Sequence, residues 1–127
     1  MEKEGRKIRV AIYCRMATDN DNVQGLELQK EKLRRYAGQK GYEIVKEIAE
    51  VAKGNTLCRP GIRELYRLAH CHSIDMALSV NIDRFGRNAG DVLRMEDKLK
   101  KQHVRLDTLQ GNPLPGYRKM MQAASPK

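Results

Sequence analysis

The sequence predicts an α/β layer fold with a central, mostly parallel sheet of about four to five strands, and three observations carry that prediction. Short apolar runs alternate along the chain with longer segments whose apolar residues recur at helical spacing. The two most apolar runs, Ile8–Cys14 and Asp75–Val80, read as buried central strands. The 127 residues, 40% hydrophobic with no Trp and one Phe, fit a single domain around an aliphatic core.

Taken in order, Ile8–Cys14 is the first strand, bounded by charge before it and a polar turn after it. Leu26, Leu33, Tyr36 and Ala37 define one face of an amphipathic helix over residues 26–39, which Gly41 ends. Tyr42–Ile48 resumes as a strand, and Ala52–Arg59 is a polar loop. Pro60 opens a second helix, because proline's missing N–H and fixed φ suit a first turn. Ile62, Leu65, Tyr66 and Ala69 continue that helix to about His72. After the strand at residues 75–80, Asn81–Asn88 reads as a polar turn. Val92, Met95 and Leu99 mark a third helix to Gln102, and His103–Asp107 a fourth strand. Residues 1–109 form the domain, and residues 110–127 form a tail interrupted by Gly111, Pro113, Pro115 and Gly116, with about two helical turns over Tyr117–Ala124.

Lys and Arg number 25 against 16 Asp and Glu, a net charge of +9 that biases the chain toward phosphate-rich partners. Cys14, Cys58 and Cys71 are odd in number and irregularly spaced, which points to neither a disulfide framework nor a zinc site and favours a reducing compartment. The amino terminus has no signal-peptide core, and no run approaches the ~20 apolar residues of a membrane span. A soluble cytoplasmic protein without membrane association is expected.

Ligand sites in open α/β sheets gather beyond the carboxyl ends of the strands. The segments after the first and third strands carry Arg15 and the cluster Asp83-Arg84-Phe85-Gly86-Arg87. Three guanidinium groups and an acid at one crevice suit a phosphodiester, since each planar fork can hold two phosphoryl oxygens. Residue types alone leave the plainer reading open, in which these arginines cap helices or pair with nearby acids. His70-Cys71-His72 lacks metal-ligand spacing and reads as a solvated helix end. Gly86 and Gly90 are explained as well by turn geometry as by a phosphate cradle. Lys98, Lys100 and Lys101 read as a solvated, dipole-matched helix end.

Four motifs, in order, resemble the serine recombinases of the resolvase/invertase family. Tyr13-Cys14-Arg15-Met16-Ala17-Thr18 resembles the pattern Tyr-x-Arg-Val-Ser followed by Thr or Ser, and Leu26-Glu27-Leu28-Gln29 the opening of the first helix. Gly54–Gly61 resembles Gly-x-x-x-Asp-Arg-x-Gly, and Asp83–Arg87 resembles Asp-Arg-Leu-Gly-Arg. The resemblance covers about residues 8–109 and implies a three-layer catalytic domain that attacks DNA phosphodiesters through a serine hydroxyl and holds a phosphoserine link. It implies that Arg15, Arg59, Arg84 and Arg87 stabilise the transferring phosphoryl group, that Asp83 orients an arginine or assists proton transfer, and that Tyr13 and Gln29 lie at the site. No metal or nucleotide cofactor is implied; the partners implied are DNA and further copies of the chain.

The chain departs from the pattern where the chemistry starts. Ala17 stands at the nucleophile position, and alanine has no hydroxyl. Thr18 is adjacent, but successive side chains of an extended segment point to opposite sides. Cys58 replaces the acid before Arg59 and reads as a plain unpaired cysteine rather than a thiol nucleophile. The family's long helix after the last strand, which mediates dimer contact, is expected to be missing, since Gly111, Pro113 and Pro115 occupy its start. The sequence therefore predicts a truncated, catalytically inactive recombinase-type domain or, in a different class, a non-catalytic module that binds DNA or a recombinase.

Overall fold

The computed structural model describes residues 7–16, 22–52, 59–86 and 88–124. Its elements run β1 (Arg9–Met16), α1 (Asn22–Lys40), β2 (Glu43–Val51), α2 (Pro60–His70), β3 (Met76–Ser79), α3 (Ile82–Phe85), α4 (Ala89–Lys100), β4 (Arg105–Thr108) and α5 (Leu114–Ala124). The four strands form one sheet in the order β2-β1-β3-β4, and every pair among them is parallel. Because β1 runs up the middle and the chain crosses to opposite sides of it to make β2 and β3, the strand order switches between β1 and β3.

Three layers result, as expected. Alternate residues of β1 feed two cores. Ala11 and Tyr13 join Ile62 and Leu65 of α2 and Val92, Met95 and Leu99 of α4 on one face. Val10, Ile12 and Cys14 join Leu33 of α1, Met76 and Leu78 on the other. β1 is buried on both faces, which is why it reads as a continuous apolar run. β2 lies at the sheet edge, and Val45 is skipped where the register slips between Val10 and Ala11, a bulge. Among the described residues no helix is long and apolar enough to cross a membrane.

Three expectations need correction. β1 and β2 run past Cys14 and Ile48, because Arg15 pairs in register with Glu50 and Met16 with Val51. Arg15 is thus a strand residue on the same face as Tyr13. Residues 82–85, expected within a polar turn, form a single helical turn, because Phe85 is fully buried and draws the segment onto the sheet. The last helix starts at Leu114 rather than Tyr117: Leu114 is fully buried, and Pro115 falls in the first turn, where proline is tolerated. Arg118 then bonds Glu96 at 2.6 Å and Asp97 at 3.2 Å, so the stretch read as a tail lies against α4.

Candidate active site

At the switch point, the carboxyl ends of β1 and β3 bring Arg15 against the segment that holds Asp83 and Arg84. Arg15 is 4% exposed, and its guanidinium donates to three main-chain carbonyls: Nε to Arg84 at 2.9 Å, Nη1 to Ala52 at 2.8 Å and Nη2 to Asp83 at 2.7 Å. Each bond is charge-assisted, and together they join two pieces of chain, the residue after β2 and the α3 turn, to β1. Arg84 returns the contact, its Nη1 donating to the carbonyl of Arg15 at 3.1 Å. The Nε of Arg84 and the Oδ1 of Asn81 are buried and have no hydrogen-bond partner among the described residues. The Asp83 side chain is exposed.

Gln29 reaches from α1 to the same strand end. Its Oε1 accepts from the Arg15 N–H and its Nε2 donates to the Arg15 carbonyl, both at 3.1 Å, so the amide side chain acts as a one-residue strand partner. That pairing fixes the backbone immediately before the Met16–Ala17 junction. Ala17, Thr18, Cys58 and Arg87 lie outside the described residues.

A second group closes the α2 side. Arg59, 2% exposed, donates through Nη2 to the Phe85 carbonyl and stands 5.7 Å from the centroid of the Tyr13 ring. The Tyr13 ring is itself stacked on Phe85 at 5.7 Å. Glu50 gathers this group: it accepts from the Tyr13 hydroxyl at 2.5 Å and the Gly61 N–H at 3.0 Å, and lies 3.9 Å from Arg59 Nε. Sequence patterns alone do not single out Glu50. The available signal is an acid at the end of an apolar strand, where a buried arginine on a neighbouring element would need a counter-charge.

Burial and donation to Glu50 push the Tyr13 phenol well above its ordinary range, so it stays protonated and serves as a hydrogen-bond donor. Burial likewise pushes the Cys14 thiol up to about 12. Both are acids whose folded-state pKa is raised, so the folded chain keeps protons that the unfolded chain loses. Their contribution to stability is fully present below the unfolded values of 9.0 and 10.0 and is lost progressively as pH rises above them toward the folded values. Urea midpoints from about pH 8 to 11 should therefore fall, each group costing up to about 1.4 kcal/mol per pH unit above its unfolded value. Tyr13→Phe should flatten the upper part of that slope; a midpoint independent of pH would contradict the burial of both groups.

The sequence model of the resolvase N-terminal domain matches residues 10–125. The chain belongs to the resolvase family of serine recombinases. Solved structures agree with this domain assignment. The C-terminal catalytic domain of ISC1926 TnpA, an IS607-like serine recombinase, is 26% identical with a TM-score of 0.75, covering 91% of this chain and 80% of that one. The N-terminal catalytic domain of TP901-1 integrase shares the fold at 22% identity and a TM-score of 0.76, over 91% and 92% of the two chains. A resolvase family site-specific recombinase from Streptococcus pneumoniae shares it at 24% identity and 0.73, over 93% and 90%. Within this serine recombinase domain, Tyr13, Arg15, Gln29, Arg59, Asp83 and Arg84 all belong to the segments that meet at the switch point. Among the described residues no three His, Cys, Asp or Glu side chains group as a metal site, and Cys71 is exposed at the end of α2.

Proposed function

We propose that this recombinase domain engages the phosphodiester backbone of DNA at the arginine cluster without forming the phosphoserine link of its family. The observation that carries the reading is Ala17. It follows the last residue of β1, the strand that delivers Arg15 to the cluster, at the position where the family pattern has its serine. Without an oxygen or sulfur nucleophile there, the cluster can bind and polarise a phosphoryl group but cannot exchange its ester bond.

The donors divide by what already occupies them. Arg84, whose buried Nε has no partner among the described residues, and Arg87 close to it in sequence are the groups assigned to phosphate oxygens. Exposed Asp83 is assigned to orienting an arginine. Arg59 contributes positive charge from behind the Tyr13 ring, with Glu50 setting its place. Arg15, Tyr13 and Gln29 shape the wall against which the phosphate rests.

The test is a trap for covalent protein–DNA ester on supercoiled plasmid, run with the unaltered chain and with Ala17→Ser. The unaltered chain is expected to give no adduct, and Ala17→Ser to give a phosphoserine adduct. Adduct from the unaltered chain would overturn the inactive reading and direct attention to Thr18 or Cys58. No adduct from either chain would favour an accessory module that binds DNA or a recombinase and has lost more than its nucleophile.

A further inference from the structure

On the sheet face opposite α1, helices α2 and α4 leave between them a crevice outside the arginine cluster. Tyr66 of α2 lines it, half-buried against the main core, and Lys98 Nζ of α4 stands 4.5 Å from the centroid of the Tyr66 ring. Two adjoining cavities of about 210 and 420 Å3 share these two side chains. Arg94, Lys98 and Lys101 recur at steps of four and three, and Lys101 keeps helical dihedrals, so the three lie along one face of α4. At 1.5 Å per residue that face is about 10 Å long, the rise of roughly three nucleotides of one DNA strand.

The charge balance in the crevice is positive. Arg94 is paired with Asp91 and Asp97 with Arg118, while Lys98 and Lys101 form no ion pair among the described residues. A freely solvated lysine would spread over many rotamers. Lys98 is instead held over an aromatic face, which keeps its charge at the crevice mouth. α4 begins at Ala89, shortly after the Asp83–Arg84 segment, and its basic face opens at Arg94, ten residues beyond Arg84.

We infer that the α2–α4 crevice is a second contact for nucleic-acid backbone phosphates, separate from the arginine cluster and formed by Arg94, Lys98 and Lys101. The inference rests on the reading that DNA is the ligand of this domain. It replaces the view of these lysines as a merely solvated helix end.

The test measures binding of a fluorescein-labelled duplex of about 30 base pairs by anisotropy across a salt series. The unaltered chain is compared with Arg94→Gln/Lys98→Gln/Lys101→Gln and with Lys32→Gln/Arg35→Gln, which removes exposed charge from α1 on the other face. The crevice variant should bind about tenfold or more weakly at low salt, and its log–log salt slope should shrink by about 0.9 for each phosphate it no longer neutralises. The α1 variant should keep the slope of the unaltered chain. Matching thermal melts establish that all three chains fold. An unchanged slope in the crevice variant, or an equal weakening in the α1 variant, would overturn the crevice while leaving DNA binding in place. No binding by the unaltered chain would overturn both the crevice and the DNA reading.

Discussion

Arg15→Met should lower the stability of the domain by about 3 kcal/mol or more, and its midpoint of thermal unfolding by roughly 10 °C. Methionine fills much of the same volume but leaves the carbonyls of Ala52, Asp83 and Arg84 without their shared donor. Each buried acceptor left unpaired costs about 1–3 kcal/mol. The effect reaches beyond the strand end, because those three carbonyls sit on the chain after β2 and on α3. Arg15→Lys is expected to fall between the two, since an ammonium offers its donors from one point and cannot span three directions. Urea unfolding of the three chains measures both differences. A cost below about 0.5 kcal/mol for Arg15→Met, the range of an ordinary surface change, would show that the brace contributes little.

Gly61→Ala carries the second large effect, and its sign is informative. In an open helix the change would stabilise, since alanine is favoured over glycine by up to about 1 kcal/mol. Here a Cβ would stand 2.5 Å from Oε2 of Glu50 and 2.9 Å from Cε1 of Tyr13. Glu50 cannot withdraw without giving up its bonds to the Tyr13 hydroxyl and the Gly61 N–H, and the Tyr13 ring is held between Arg59 and Phe85. A net loss of about 1–3 kcal/mol is expected, as for overpacking elsewhere. In a Glu50→Ala background much of the obstruction is gone, so the same substitution should cost markedly less. The coupling between the two changes, read from a double-mutant cycle in urea, should exceed about 0.5 kcal/mol. Additive effects would mean that Gly61 is not what keeps Glu50 in place.

The parts of the fold that were legible are those where burial and sequence pattern agree. β1 and β3 are apolar on both faces and read directly as central strands, and Pro60 marked the start of α2. The meeting of Arg15 with the Asp83–Arg84 segment followed from the rule for strand ends. What stayed hidden depends on partners distant in sequence. β1 and β2 each carry a charged residue next to the end, Arg15 and Glu50, and these belong to strands only because each finds the other in register. Ile82 and Phe85 are two apolar residues in a polar stretch, too few to announce a helix, and α3 forms because Phe85 meets the Tyr13 ring. Leu114 looked like part of a proline-broken tail until the core supplied a hole for it. Glu50 was invisible for the same reason: its importance lies in Tyr13, Arg59 and Gly61, none of them its neighbours in the chain.

The Arg15 brace also bears on the order in which the molecule is made. The three carbonyls it bonds among the described residues lie 37, 68 and 69 positions further along the chain. No hairpin links the strands, so every pairing in the sheet closes a long loop, and that entropy must be met before any such bond forms. A nascent chain that has not yet reached Arg84 has nowhere to bury this guanidinium, which stays in water. The brace therefore reports the joining of the central strands: its charge leaves solvent only when β1, the chain after β2 and the α3 turn that follows β3 have met.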